Sequence, residues 1–153
     1  MWVRSTGKEK EKVSVMLAGS NIGHKFDPFF VLKTAPSKNE AMQRANHRER
    51  NGFGVRVWRS IEALQVEHGV SIWGNAKGWF NEELVIEWMQ HTFQFYKPGV
   101  KKLLLLDDFS AHKTQRVRET AARLNLVLDW IPAGYTSVSQ PADISWIKPS
   151  TDM

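Results

Sequence analysis

The chain has 153 residues, a formal net charge of +5, no cysteine, and a composition that is 42% hydrophobic and 24% charged. This is the length and composition of one globular domain, and the lack of cysteine excludes disulfides, thiolate zinc sites and cysteine nucleophiles. No apolar run approaches the roughly 20 residues of a membrane helix, and the N-terminus lacks the apolar core of a signal peptide. We therefore expect an intracellular protein without a membrane partner.

The charge is uneven along the chain. Residues 1–59 hold 12 Lys and Arg against 5 Asp and Glu, whereas residues 60–153 hold 9 against 11. A basic first third is typical of a protein that binds a polyanion, although a solvated surface gives the same pattern. The candidates for phosphate contacts in this third are Arg44, Arg48 and Arg50, followed by Arg56 and Arg59.

Residues 12–33 predict an antiparallel hairpin. The segment 12–20 alternates as a strand and 29–32 is a short apolar run, with turn-forming residues at 21–23 between them. The apolar face of the first strand is made by Val13, Val15 and Leu17.

The next stretch, 34–54, is polar, basic and weakly patterned, which indicates a long loop or insertion. A helix is expected over 60–67, where Ile61 and Leu64 fall at helical spacing and Gly69 ends it.

The second half predicts a helix, a strand, a helix and a strand in that order. Asn81 is a good N-cap and is followed by Glu82 and Glu83, so a helix is expected to begin there and to end at 97–99. Within the next segment, 100–106, the run Leu103–Leu106 is apolar on both faces, which favours a strand buried in the middle of a sheet. A helix over 114–124 and a strand over 126–131 complete the order, which indicates a mixed α/β fold with parallel later strands.

Two acidic residues lie where an open α/β sheet places its ligand crevice. Asp107 and Asp108 directly follow the strand at 100–106, and Asp143 comes after Pro141. Converging carboxylates make an oxygen-rich site that suits Mg²⁺ or Mn²⁺. The alternative is that Asp107 and Asp108 only end the strand and begin a turn.

Three motifs carry a resemblance to a known family. They are Leu-Leu-Leu-Leu-Asp-Asp-Phe-Ser-Ala-His at 103–112, Trp-Ile-Pro-Ala-Gly-Tyr-Thr-Ser at 130–137 and Gln-Pro-Ala-Asp at 140–143. Together they resemble the DDE superfamily endonucleases, and within them the pogo, Tigger and jerky-type transposases and their centromere protein B-like relatives. The match is specific over 103–149, looser over 52–84, and spans most of the chain.

The resemblance implies an RNase H-like fold, with a mixed sheet and flanking helices, that residues 1–153 cover only in part and that is incomplete at both ends. It implies DNA as the partner, a nuclear location and Mg²⁺ or Mn²⁺ for strand cleavage and transfer, and it allows a homo-oligomer in the intact protein. Asp107 and Asp143 match the second and third catalytic, metal-binding acids. Asp108 stands where the family commonly has Asn and is a further candidate ligand.

The first acid of the family has no match, since residues 1–12 offer only Glu9 and Glu11 in a polar run. We therefore expect a nucleic-acid-binding domain that is catalytically weak or inactive. The alternative is a domesticated, non-enzymatic DNA-binding or interaction module. Asp108 is expected to raise the pKa of one of the two adjacent carboxyls by like-charge repulsion, unless a cation lies between them.

Four further polar residues are candidates for contacts to the nucleic-acid backbone. Stabilisation of local turns explains the same residues, and for His112 we favour that explanation. They are His112, Thr136, Ser137 and Gln140.

Overall fold

The structure, a computed structural model, describes residues 13–96 and 99–134. Two units make up this part of the chain, and each has its own sheet and helices. Unit 1 holds 13–16 and 27–79, and unit 2 holds 17–26, 80–96 and 99–134. A search of the described residues for a membrane-crossing helix, one of sufficient length and apolarity, found none.

Unit 1 is built on a three-stranded sheet with the order β1 (Val13–Met16), β2 (Phe29–Lys33), β3 (Ser71–Asn75). Strand β1 runs antiparallel to β2, which confirms the predicted hairpin, and β2 runs parallel to β3. Val13 and Val15 share one face of β1 as predicted, but this apolar face is the exposed one, since Val13 is 51% exposed and Ser14 is the more buried side chain. The Ser14 hydroxyl donates to the Gly78 carbonyl at 3.0 Å, and this bond fixes the orientation of the edge strand.

A helix, α1 (Glu40–Glu49), occupies part of the segment that the sequence predicts as a loop over 34–54. Its N-cap is Asn39, whose side chain accepts a hydrogen bond from the backbone nitrogen of Met42. Only Asn46 of this helix is buried, so the helix has no apolar stripe that the sequence pattern could reveal.

The second helix of unit 1, α2 (Val55–His68), begins before the predicted start at 60 and ends as predicted at Gly69. Gly69 has a φ of +60°, the left-handed conformation that glycine adopts most easily at a helix C-terminus. The helix packs one face against the sheet. The buried cluster at this contact is Phe53, Ile61 and Ile72, with the half-buried Phe30, Leu32, Trp58 and Val70 around it.

A polar network ties the end of α2 to β3. The Gln65 Oε1 atom accepts hydrogen bonds from the Ile72 backbone nitrogen at 2.7 Å and from Asn51 Nδ2 at 3.3 Å. Asn51 Nδ2 also donates to the Ile72 carbonyl at 3.1 Å, and the Gly74 nitrogen donates to the Asn51 carbonyl at 2.8 Å. We call this arrangement the Asn51–Gln65 network. Next to it, Gly52 approaches Gly74 so closely that a Cβ atom on Gly52 would lie 2.1 Å from the Gly74 oxygen.

Unit 2 confirms the predicted order of helix, strand, helix and strand. Asn81 and Thr114 cap the two helices, accepting hydrogen bonds from the backbone nitrogens of Leu84 and Val117. The elements are α3 (Glu82–Phe93), β4 (Lys102–Leu106), a short 3₁₀ helix (Ser110–Lys113), α4 (Gln115–Arg123) and β5 (Leu126–Trp130).

Strands β4 and β5 run parallel, as predicted, and pair only with each other among the described residues. The expectation that β4 is buried on both faces is wrong, because Leu103 and Leu105 are 62% and 56% exposed while Leu106 is buried. The covered face belongs to the core of unit 2. That core comprises Leu84, Val85, Trp88, Met89, Phe93, Leu106, Val117, Ala121 and Leu126.

The fold is thus mixed α/β with small sheets, which is consistent with a DDE nuclease. Within the described ranges the five strands form a three-stranded and a two-stranded sheet and not a single mixed sheet.

Candidate metal and nucleic-acid site

The carboxyl end of β4 is followed by a tight turn, in which two basic side chains contact two acidic side chains. The 3₁₀ helix places His112 beside Asp107 and Lys113 beside Asp108, with the same spacing of five residues in both pairs. His112 Nδ1 lies 2.8 Å from Asp107 Oδ1, and Lys113 Nζ forms an ion pair with Asp108 Oδ1. Each of the two adjacent acids therefore has its own basic partner.

The pair of Asp107 and His112 lies at the boundary between the interior and the solvent. The His112 side chain is 3% exposed, its backbone nitrogen donates to the Phe109 carbonyl at 3.0 Å, and its ring meets the Phe109 ring edge-on. The Asp107 side chain is 39% exposed although its Oδ1 is buried. The carboxylate oxygen that faces the solvent is therefore Oδ2.

This environment lowers the pKa of Asp107. The largest cause is the hydrogen bond from His112, which favours the ionised carboxylate, and partial burial opposes it. Coulombic attraction to His112 and the backbone N–H of Phe109 lower the pKa further. The rise expected for one of the two adjacent carboxyls does not fall on Asp107, because Asp107 lies beside His112 and Lys113 offsets the charge of Asp108.

The five arginines predicted as phosphate contacts lie in unit 1, and three of them, Arg44, Arg48 and Arg50, differ in exposure. Arg44 and Arg48 have side chains 77% and 79% exposed on α1, each paired with a glutamate of the same helix. The Arg50 side chain is only 15% exposed, because its Nε donates to Asn46 Oδ1 and its guanidinium pairs with Glu49. Arg44 and Arg48 present their charges to the solvent, whereas Arg50 closes the end of the helix.

The structure thus brings three of the predicted site residues together, namely Asp107, Asp108 and His112. The remaining predictions for Asp143, Thr136, Ser137 and Gln140 lie outside the described residues. Within 13–96 and 99–134 there is no group of three or more His, Asp or Glu side chains that could hold a metal ion. Sequence reasoning missed Lys113, although it stands five residues after Asp108, just as His112 stands five residues after Asp107.

Comparison with known proteins identifies the family. Residues 10–150 match the DDE superfamily endonucleases, and the chain belongs to that family. It is 25% identical over 153 residues to the human "Pogo transposable element with KRAB domain" and 24% identical to its mouse counterpart, in alignments that cover 98% of this chain and 21% of each relative. These matches confirm the resemblance to pogo-type transposases.

A protein of Cochliobolus lunatus described as "MFS-type transporter clz9" is 28% identical over 75 residues, which is 47% of this chain and 8% of that protein. No solved structure matches the chain significantly. The chain spans about a fifth of the length of its pogo relatives. DDE superfamily endonucleases generally use divalent metal ions.

Proposed function

We propose that this chain is a transposase-derived DNA-binding domain of the kind that cleaves and joins DNA strands with a divalent metal ion in its intact form. We further propose that the 153-residue chain by itself cleaves DNA weakly or not at all. One observation carries the proposal: Asp107 lies at the carboxyl end of β4, with Oδ1 buried 2.8 Å from His112 Nδ1 and the other carboxylate oxygen facing solvent.

The donor set at this turn fits Mg²⁺ or Mn²⁺ in part. Carboxylate oxygens are the hard ligands that both ions prefer, so Asp107 would hold the ion together with Asp143. Asp108 is engaged by Lys113 and is available only if that ion pair opens. The bound ion would polarise the phosphodiester and lower the pKa of the attacking water. Asp107 and Asp143 are two of the three acids that the family resemblance implies, which supports weak or absent cleavage by this chain.

For the DNA backbone we propose contacts from Arg44 and Arg48. Their ion pairs with glutamates lie on the surface, where such pairs contribute about 0–1 kcal/mol, so phosphate groups compete for them easily. Phosphate binding by exposed arginines releases counterions and makes the affinity fall with salt. A nuclear location belongs to the same proposal, because DNA is the proposed partner. A homo-oligomer of the intact protein stays a prediction.

The test for DNA binding is a titration of the chain with a labelled duplex between about 50 and 200 mM salt, followed by fluorescence anisotropy. We expect log Kd to change linearly with log salt, and the double variant Arg44→Gln, Arg48→Gln to reduce the slope by about 2. The control, Lys101→Gln with Arg123→Gln, removes the same charge from unit 2. An equal effect of both double variants contradicts the contacts from α1, and a wild-type chain that does not bind DNA overturns the DNA partner.

The test for cleavage is nicking of a supercoiled plasmid in Mg²⁺ or Mn²⁺, with Asp107→Asn as the matched control. We expect little or no nicking by either protein. Robust nicking that Asp107→Asn abolishes would overturn the proposed inactivity and would confirm the metal site instead.

The alternative of a domesticated, non-enzymatic DNA-binding or interaction module is favoured by one observation. Asp108 stands where the family commonly has Asn, and Lys113 occupies its carboxylate. A calorimetric titration with Mn²⁺ separates the two functions. Salt-dependent DNA binding without any Mn²⁺ binding supports the module, whereas Mn²⁺ binding that Asp107→Asn removes supports a retained metal site.

A further inference from the structure

We infer that Asn51 is a site of spontaneous covalent modification, namely deamidation through a cyclic imide, which the Asn51–Gln65 network blocks and a local opening of unit 1 permits. Of the seven asparagines in the chain, only Asn51 is followed by glycine. Because glycine has no Cβ atom, its backbone nitrogen approaches a preceding side chain more freely than that of any other residue. The reaction requires water but neither DNA nor a metal ion, so it is independent of the proposed function.

The fold itself requires this labile pair of residues. Asn51 has a φ of +50°, and asparagine is one of the few residues besides glycine that adopt the left-handed conformation readily. Gly52 has a φ of +90°, and a Cβ atom there would lie 2.1 Å from the Gly74 oxygen. The network in addition needs the two N–H donors of the Asn51 amide. The structure therefore places an Asn-Gly pair where other residues would cost stability.

The reaction forms one bond between these neighbours and breaks another. The Gly52 nitrogen loses its proton to water and bonds to Cγ of Asn51. The bond between Cγ and Nδ2 then breaks, and Nδ2 leaves as ammonia with a proton taken from water. A water molecule opens the imide at either of its two carbonyls, which leaves aspartate or isoaspartate. The net change consumes water and releases ammonia, with no oxidant or reductant.

Four hydrogen bonds oppose the first step in the folded chain. The Gly52 nitrogen, which must attack, is buried and donates its hydrogen to the Asn46 carbonyl at 2.9 Å. The Nδ2 atom, which must leave, makes the two hydrogen bonds of the network. The Asn51 carbonyl accepts from the Gly74 nitrogen at 2.8 Å, and this bond holds the peptide that has to rotate for the ring to close. The rate of the reaction in the folded chain therefore depends on how often this part of unit 1 opens.

The product cannot restore the network. An ionised carboxylate accepts hydrogen bonds but donates none, and here it would face two further acceptors, Gln65 Oε1 and the Ile72 carbonyl. Isoaspartate also adds an atom to the main chain beside the close approach of Gly52 to Gly74. Polar groups that lose their partners in a partly buried place destabilise the fold, so each conversion favours the open state of unit 1.

The experiment incubates the full 153-residue chain at mildly alkaline pH, with and without denaturing urea. The fraction converted at Asn51 is followed over time by mass spectrometry of peptides from an acid-stable protease. We expect conversion to be slower in the folded chain by about 10-fold or more, because the native rate is reduced by the cost of local opening. In urea we expect Asn51 to convert faster than Asn39, which is followed by glutamate and serves as the internal reference.

Two variants test the role of the network. Gln65→Leu removes the acceptor that Asn51 Nδ2 shares with the Ile72 nitrogen, so we expect it to speed conversion in the folded chain several-fold and to leave the rate in urea unchanged. Gln90→Leu, at an exposed position of α3, is the matched control and should change neither rate. Asn51→Asp is itself one of the products, and we expect it to unfold at a lower urea concentration than the wild type.

Three results would overturn the inference: equal rates of conversion for the wild-type chain with and without urea, a folded Gln65→Leu variant that converts at the wild-type rate, or an Asn51→Asp variant with the wild-type urea midpoint. If Gln65→Leu does not fold, the wild-type rates with and without urea decide together with Asn51→Asp.

Discussion

The Asn51–Gln65 network of unit 1 and the Asp107–His112 pair of unit 2 are both polar contacts that join the end of one element to another, but they use their atoms differently. In the network, Gln65 Oε1 accepts two hydrogen bonds and Asn51 Nδ2 donates two, all within unit 1. In the pair, Asp107 Oδ1 is buried 2.8 Å from His112 Nδ1, and the other carboxylate oxygen faces solvent. Polar groups whose hydrogen bonds are made within the protein stabilise the fold, whereas a carboxylate with one oxygen exposed to solvent is available to a ligand.

The largest effect is expected beside the network, from Gly52→Ala. A Cβ atom at Gly52 would lie 2.1 Å from the Gly74 oxygen, and the φ of +90° is strained for any L-residue. We expect the free energy of unfolding in a urea titration to fall by about 3 kcal/mol or more. Gly54→Ala is the matched control, since no atom lies within 4 Å of the added Cβ atom. Equal losses in the two variants would contradict the close approach.

The next largest effect is expected from Gln65→Leu, which removes the shared acceptor of the network. The Ile72 nitrogen and one donor of Asn51 lose a partner in a partly buried place, so we expect a loss of about 2 kcal/mol in the free energy of unfolding. Gln90→Leu makes the same change at an exposed position of α3 and should cost less than about 0.5 kcal/mol. If the network is only structural, Gln65→Leu leaves Mn²⁺ affinity at the wild-type value.

The sequence predicts the position of Asp107 in unit 2 better than it predicts the Asn51–Gln65 network of unit 1. Asp107 could be placed at the carboxyl end of a strand because Leu103–Leu106 is an apolar run followed by acids, and the N-cap Asn81 predicts the start of α3. The Asn51–Gln65 network could not be predicted, since its residues are polar and 14 positions apart, and only the packed fold brings them together.

Two predictions were wrong, the burial of β4 on both faces and the loop in place of α1, for physical reasons that a hydrophobicity pattern does not report. The run Leu103–Leu106 reports that β4 is apolar, but not that only one of its faces is covered. Helix α1 buries a single residue, so neither a period of two nor one of 3.6 stands out in 40–49.

The pairing of Asp107 with His112 depends on the 3₁₀ turn, and turn geometry of this kind is set by backbone contacts such as His112 to Phe109.

A smaller effect is expected from pH, and it tests whether the Asp107–His112 contact is formed in the folded state. The pKa of Asp107 is lowered on folding, so the contact contributes stability above the ordinary Asp pKa of about 3.9, and this contribution is lost as the pH falls through the lower, folded-state value. We expect the wild type to be more stable than Asp107→Asn at pH 7 and the difference to shrink below about pH 4. Urea titrations at several pH values measure it. A difference that is constant over this range would contradict the lowered pKa.

The smallest effect on stability is expected from Lys113→Met. This variant tests the difference between the Asp108–Lys113 and Asp107–His112 pairs. The Asp108–Lys113 ion pair is solvent-exposed, so its loss should cost less than about 1 kcal/mol. The substitution also frees a second carboxylate beside Asp107, and we expect Mn²⁺ to bind more tightly, because two adjacent carboxylates attract a divalent cation more strongly than one. Lys113→Arg keeps the ion pair and should leave the Kd for Mn²⁺ unchanged. Weaker Mn²⁺ binding by Lys113→Met would contradict the release of a second carboxylate.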